Sequence, residues 1–291
     1  MRSRFMNRMS HQEVESYLLR NDIIFVALGT TEVHGHYPVN VETKVAEALA
    51  LLCAEKVDGL VLSDLPYFFV GASPMSPATV KMSVHDGYHY LKEIAHSLLA
   101  QGFRRQVYIS LHGPAFLTAG SMVVDFFDET KVPIAYIDGI NIMNFVKEKC
   151  GIEPKSEEDI MLGAYEILDI KDQLIVDPNI EWEVKEKAKT ETVLDKWDYM
   201  RRFAHGSGSV GFYFVKPYDH AGLTGAFKTV AERDAACKQG GEYMRALIDN
   251  MELPEYMAAL REIDEQTEEV VIPKFGRLLP DNRYPYRPRK K

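Results

Sequence analysis

One stretch near the N-terminus, residues 23–43, constrains the fold more than any other part of the chain. It begins with a continuous apolar run, Ile23–Leu28, of the kind found in strands that are buried on both faces of a sheet. The run stops at a glycine and is followed by a dense set of nitrogen and oxygen ligands: Glu32, His34, His36 and Glu42. This order indicates a site at the carboxyl end of a parallel strand, where open α/β sheets bind ligands.

Strand-like and helix-like segments then alternate along the first half of the chain. Four short apolar runs are predicted strands: Ile23–Leu28, Leu60–Leu62, Gln106–Leu111 and Ile134–Ile137. Segments with helical spacing of apolar residues are predicted helices: Ser10–Leu19, Lys44–Val57, Tyr88–Gln101, Ile140–Glu148, Glu157–Leu168, Thr229–Met251 and Pro254–Ile263. This alternation predicts an α/β fold with right-handed crossovers and a mostly parallel sheet.

The chain has 291 residues, of which 46% are hydrophobic, and this is enough for one large domain. We therefore expect a single domain over residues 1–291 that ends in an extended tail from about residue 275. Two other segments have their own patterns. Pro66–Ser83 is rich in Gly, Ser and Pro and is predicted to be a long loop, and Val210–Val215 is strand-like.

Composition excludes several classes of protein. The net charge of −9 argues against binding the phosphate backbone of a nucleic acid. The three scattered cysteines form no CxxC pair, so neither a disulfide framework nor a thiolate zinc site is indicated, and a reducing cytoplasm is expected. No apolar run reaches the ~18 residues that a membrane span needs, and the polar N-terminus does not resemble a signal peptide.

The sharpest pair of candidate ligands is Glu32-x-His34. Residues i and i+2 of an extended chain point the same way, so both side chains can face one metal ion. Carboxylate with imidazole suits Zn²⁺, Mn²⁺ or Fe²⁺. His36 is a candidate third ligand, and it fits a supporting or substrate contact equally well.

Three more residues are weaker candidates for the same site. Glu42 precedes a predicted helix, where a carboxylate is also explained by the helix dipole. His112 ends a predicted strand of the same sheet, although such histidines are often structural. Glu166 lies in an apolar context and needs a partner, which is an Arg, a Lys or a metal.

Proton transfer needs a titratable side chain outside the ligand set. His220 lies in a Gly/Pro loop beside Asp219, which would orient it, and is the first candidate. The sequence lacks GxSxG, a GxGxxG after a strand, and a Walker loop, which argues against a serine hydrolase, a Rossmann dehydrogenase and a P-loop enzyme.

Four motifs in order resemble those of the creatininase (creatinine amidohydrolase) family. Gly29–Glu42 resembles the family's opening G-S-T-E-Q-H-G-P-H-L-P-L-G-T-D, with one residue deleted before the proline. Pro77–Val80 resembles its P-G-T-I loop, Leu111–Gly113 its N-G-H-G segment, and Gly163–Glu166 the end of H-A-G-x-x-E-T. The resemblance covers roughly residues 20–240.

The resemblance implies a three-layer α/β/α domain, commonly assembled as a homohexamer, with two divalent ions at its active site. One ion would be held by Glu32, Glu42 and His112, and the other by His34, Glu42 and Glu166. Two such ions lower the pKa of water from ~15.7 to ~7, which suits hydrolysis of a cyclic amide or a related ring. The number of ions stays open, because Glu42 stands where the family has an aspartate.

A second departure concerns the proton carrier. The histidine that opens H-A-G-x-x-E in the family is Met161 here, and methionine cannot transfer a proton. The role is therefore expected to fall to His220, with His36 as the runner-up. This indicates a retained metal site with altered substrate chemistry.

Creatinine itself is consequently not the expected substrate. The divergent branch of the family suggests an oxidised inositol or sugar-derived ring, of the 3-dehydro-scyllo-inosose type, beside a cyclic amide. Side chains expected to contact such a polyol are Tyr37, Lys81, Tyr218 and Asp219. Two alternatives are a non-catalytic metal-binding or assembly protein, and a metal-dependent carbohydrate isomerase or lyase.

Overall fold

The computed structural model describes residues 1–74, 76–180, 196, 199–200, 202–203, 210–214 and 225–280. Its central sheet contains four parallel strands: β1 (Ile23–Leu28), β2 (Leu60–Leu65), β3 (Arg105–Ser110) and β4 (Ala135–Asp138). A separate two-stranded parallel ribbon pairs β5 (Ile175–Val176) with β6 (Ala226–Phe227). The predicted mostly parallel sheet is confirmed.

The strand order is β2-β1-β3-β4, and it determines where a ligand can bind. The chain moves from β1 to β2 in one direction and then crosses back to β3 and β4 on the other side of β1. The carboxyl ends of β1 and β3 therefore flank the point where the strand order reverses. Open α/β sheets bind ligands in the crevice at such a point.

Helices cover both faces of this sheet. They are α1 (His11–Leu18), α2 (Val41–Val57), α3 (Val84–Gln101), α4 (Ser121–Thr130), α5 (Gly139–Cys150), α6 (Asp159–Ile167), α7 (Val230–Asp249), α8 (Leu253–Gln266) and α9 (Ile272–Phe275). No helix in the described ranges is both long and apolar enough to cross a membrane.

The sheet separates two hydrophobic cores, one on each face. All six residues of β1 are buried, and its side chains alternate between the two cores. Phe25 and Ala27 point into a core shared with α2 and α5 to α8. Ile24 and Val26 point the other way, into a core shared with α1, α3 and α4. A strand that is buried on both faces has a continuous apolar sequence, as β1 does. Helices packed on both faces of the sheet confirm the three-layer α/β/α prediction.

The observed elements differ from the predicted ones at two informative places. Helix α2 begins at Val41 and not at Lys44, so Glu42 lies inside its first turn and is buried. Residues 210–214 do not form the predicted strand. Instead, the backbone N–H of Phe214 donates to the carbonyl of Ala72, at 2.9 Å, in the long loop after β2.

The C-terminal part of the described chain continues as helix. After α8, a π-helical turn at Thr267–Val271 leads into α9, and a 3₁₀ turn follows at Gly276–Leu278. Residues 281–291, most of the predicted extended tail, lie outside the described residues.

Candidate metal centre

Three ligand-type side chains converge at the point where the strand order reverses. Glu32 follows β1, His112 follows β3, and Glu42 lies in the first turn of α2. One ligand atom from each lies within 4.8 Å of the other two, and all three residues are buried. No other group of three or more His, Cys, Asp or Glu residues in the described part of the chain meets this criterion.

The loop between β1 and α2 is folded back on itself, and this brings its ligands together. The backbone N–H of Glu32 donates to the carbonyl of Val39 at 2.7 Å, and that of Tyr37 donates to the carbonyl of His34 at 3.1 Å. Gly35 at φ 59° allows the turn between them, since glycine adopts positive φ without a steric penalty.

The Glu42 carboxylate lies between the two histidines. Its Oε2 lies 2.7 Å from Nδ1 of His112, and its Oε1 lies 3.4 Å from Nε2 of His34. Oε2 of Glu32 lies 3.7 Å from the same Nδ1 of His112. The explanation of Glu42 as a mere helix-dipole charge is therefore insufficient, because the side chain points into the cluster.

Both histidines are oriented by backbone carbonyls. Nε2 of His112 donates to the carbonyl of Phe69 at 2.8 Å, and Nδ1 of His34 lies 3.3 Å from the carbonyl of Glu32. Each ring thus has one nitrogen on a carbonyl, while the other nitrogen faces the carboxylates. Histidines that bind metals are held in this way, because the carbonyl fixes the tautomer that leaves the other lone pair for the ion.

Two hydroxyl groups that sequence analysis missed complete the cluster. Ser73 donates a hydrogen bond to the Glu32 carboxylate, and Thr30 donates one to the Glu42 carboxylate. Both hydroxyl-bearing residues are buried. Thr30 belongs to the opening motif and Ser73 to the loop rich in glycine, serine and proline, but neither pattern specifies a partner for the hydroxyl.

The electrostatics of the cluster fit a cation. Burial and the neighbouring charge of Glu42 raise the pKa of Glu32 to about 7. Burial opposes protonation of His112, yet the adjacent Glu42 and Glu32 carboxylates raise its pKa to about 9. A buried pair of carboxylates needs positive charge beside it, and a divalent ion supplies that charge in place of protons. The oxygen and imidazole donors are those that Zn²⁺ and Mn²⁺ accept.

None of the other predicted site residues in the described ranges belongs to this three-residue group. Glu166 is half-buried on α6, and its carboxylate forms an ion pair of 2.8 Å with Lys171. His36 is exposed in the turn after His34. The ammonium group of Lys81 lies 5.8 Å from the centre of the Phe69 ring. Phe69 is also the residue whose carbonyl accepts the hydrogen bond from His112.

Tyr37 has a partner within the protein. Its ring is buried, and its hydroxyl donates to Oε2 of Glu158 at 2.6 Å. The same oxygen accepts the backbone N–H of Gly225 at 3.2 Å. Glu158 therefore joins the ligand-bearing loop to the chain segment that enters β6. The other predicted contacts, Tyr218, Asp219 and His220, lie outside the described residues.

Comparison with known proteins identifies the family of this fold. The sequence model of the family described as "Creatininase: Creatinine amidohydrolase" matches residues 7–164, which is more than half of the chain. No curated protein gives a significant match.

Solved creatininase structures share the fold. A tryptophan-to-phenylalanine mutant creatininase superposes with a TM-score of 0.57 at 17% identity, covering 89% of this chain and 98% of that one. A glutamate-to-glutamine mutant of the "Zn-Zn type" gives 0.54 at 15% identity, with 90% and 98% covered. A structure described as "Creatininase Mn" gives 0.54 at 16% identity, with the same coverage. With the family model matching from α1 to α6 and the ligand cluster in place, the chain belongs to the creatininase family.

Proposed function

We propose that this protein is a divalent-metal-dependent hydrolase that opens a small cyclic substrate. The observation that carries the proposal is the buried cluster of Glu32, Glu42 and His112 at the reversal of the strand order. Membership of an amidohydrolase family supports hydrolysis as the reaction class. Related solved structures that are described as zinc and manganese forms support those two metals as the cofactor.

The residues have separate parts in this proposal. Glu32, Glu42 and His112 hold one ion, and His34 faces Glu42 from the other side, where it serves the same ion or a second one. A bound divalent ion supplies Lewis acidity and lowers the pKa of a coordinated water to ~7. Ser73, Thr30 and the Phe69 carbonyl orient the ligands and hold their protonation states.

A bond that breaks in a ring leaves an atom that must take up a proton. Met161 cannot provide one, so we assign the acid to His220, with His36 as the alternative. His36 is exposed one residue before the buried Tyr37 and so lies at the rim of the ligand loop. Lys81, whose ammonium group lies over the Phe69 ring, is a proposed polar contact to substrate, and Tyr218 and Asp219 complete that set.

The substrate class is a cyclic amide or an oxidised inositol or sugar-derived ring. The assembly is proposed to be a homo-oligomer, a hexamer by family resemblance, and light scattering measures it directly. Glu166 is kept as a conditional ligand of a second ion. Its ion pair with Lys171 would have to open first.

The deciding experiment is a screen of cyclic amides, lactones and oxidised inositols against protein reconstituted with Zn²⁺ or Mn²⁺, read by mass spectrometry. Hydrolysis adds the mass of one water to the substrate. A product of unchanged mass would instead show an isomerase, and loss of a fragment a lyase. No turnover of any ring, together with full metal binding, would favour the non-catalytic alternative. A His112→Ala variant that turned over substrate as fast as the parent would overturn the assignment of the site.

A further inference from the structure

We propose a second metal-binding site on the outer surface of α3, formed by His85 and His89 and binding a divalent transition ion through two imidazoles. The two residues lie four positions apart on one helix, so their side chains share a face. Histidines at this spacing are an established way for a helix to present two nitrogen ligands to one zinc ion.

The distance between the Nε2 atoms of the two rings fits a chelate of one metal ion. Nε2 of His85 lies 3.2 Å from Nε2 of His89. Two zinc–nitrogen bonds of about 2.0–2.1 Å that meet at a tetrahedral angle place their nitrogens about 3.3–3.4 Å apart. The two nitrogens therefore already have the separation of a two-imidazole chelate, and rotation of the rings, whose centres lie 4.5 Å apart at 76°, would turn both lone pairs toward one ion.

Neighbouring side chains favour this arrangement. The Tyr88 ring packs edge-on against His89, with 5.1 Å between ring centres, and limits the rotation of that imidazole. Asp86 places a carboxylate oxygen 4.0 Å from Nδ1 of His85, on the side of the ring opposite the proposed ion. A carboxylate on the second nitrogen makes an imidazole a better metal ligand, and a small shift of either side chain would close that contact.

The site is open and independent of the buried cluster. The His85 side chain is 81% exposed, and no third ligand among the described residues completes a three-residue group with the pair. The remaining coordination positions are left to water or to a ligand from another molecule. Imidazole donors select late first-row ions, with Cu²⁺ bound more tightly than Ni²⁺ or Zn²⁺.

The test is a Cu²⁺ titration of the full chain, followed by electron paramagnetic resonance, which counts bound ions and reports their nitrogen ligands. The parent, His85→Ala and His89→Ala proteins are compared with a His11→Ala control, which removes another exposed histidine. We expect each α3 variant to bind one Cu²⁺ fewer per chain than the parent and the control. The lost signal should show two nitrogen ligands.

Equal copper stoichiometry in all four proteins would overturn the proposal. So would an equal loss in the His11→Ala control, since that would mean unspecific binding by surface histidines. Because Glu32, Glu42 and His112 are unchanged throughout, the buried cluster contributes equally in every protein. The result is therefore separate from the fate of the proposed hydrolase function.

Discussion

At the scale of single residues, we expect the candidate centre to depend on Glu42 more than on any other side chain. Its two carboxylate oxygens face His34 and His112, and Thr30 donates a third contact. Burial of the carboxylate and the two histidines shift the pKa of Glu42 in opposite directions. Burial disfavours its charge, yet the histidines hold its pKa well below the usual value, so Glu42 stays ionised.

Replacing Glu42 with alanine should therefore weaken metal binding at least about 100-fold, because the loss of a direct ligand exceeds the 10–100-fold typical of a supporting residue. His34→Ala should also lower metal content. Metal per chain is measured by mass spectrometry of dialysed protein. Glu55→Ala, an exposed glutamate on the same helix, is the control. Normal metal content in Glu42→Ala would show that Glu42 is not a ligand and serves only as a charge at the start of α2.

A second prediction at this scale concerns Ser73. Ser73→Ala removes the hydroxyl that donates to the Glu32 carboxylate, and we expect metal affinity to fall about 10–100-fold. The competing chelator titration that measures this should show an unchanged affinity for Ser63→Ala. That hydroxyl contacts Asp64 and not the cluster. If Ser73→Ala binds metal like the parent, the hydroxyl has no role in tuning the ligand.

At the scale of elements, two pairs of packed helices hold the layers in place. Helices α6 and α7 touch through their backbones: a Cβ atom built on Gly163 would lie 2.5 Å from the carbonyl oxygen of Gly240. Helices α3 and α4 are joined instead by charge. Glu129 accepts from Lys92 at 2.9 Å and lies 3.1 Å from the His96 ring nitrogen.

Gly163→Ala should lower the free energy of unfolding by about 1–3 kcal/mol or more, since a methyl group has no room between the two backbones. Urea denaturation measures the change. Gly276→Ala is the matched control, because the nearest atom to its new methyl group would be 3.8 Å away. Equal effects of the two substitutions would show that α6 and α7 can move apart at little cost.

The contacts of Glu129 with Lys92 and His96 predict that stability depends on pH. Burial opposes ionisation of Glu129, but hydrogen bonds from Lys92 and His96 hold its pKa below the usual value. A carboxyl whose pKa is lowered by folding stabilises the protein above its unfolded pKa of ~4.3, and that contribution is lost as the pH falls through the folded value. Glu129→Gln should therefore be less stable than the parent in urea at pH 7, with a difference that shrinks below about pH 4. A difference independent of pH would show that charge is not involved.

At the scale of the whole molecule, the candidate ligands come from three separate parts of the chain, so we expect metal binding to be coupled to folding. An ion that binds only the folded state at 100 times its Kd stabilises that state by about 2.7 kcal/mol. Zn²⁺ or Mn²⁺ should raise Tm by on the order of 5 °C, and a chelator should reverse the rise. Calorimetry of parent and His112→Ala proteins tests this, and an equal rise in both would place the stabilising ion elsewhere.

Local patterns in the sequence were enough to predict most of the elements and to pick out candidate ligands. β1 was predicted at its observed bounds, because the sequence of a strand buried on both faces is an unbroken apolar run. Glu32, His34 and His112 were predicted as ligands for a similar reason: each comes soon after such a run. The start of α2 was predicted three residues too late, because its first turn contains polar residues and its Asn40 cap makes no side-chain hydrogen bond.

The groups that surround these candidate ligands follow from the tertiary structure and not from any local pattern. The Phe69 carbonyl reaches His112 across 43 residues of chain, Ser73 reaches Glu32 across 41, and Glu158 reaches Tyr37 across 121. Periodicity and motifs are local properties of a sequence, whereas these contacts exist because the strand order brings distant loops to one edge of the sheet.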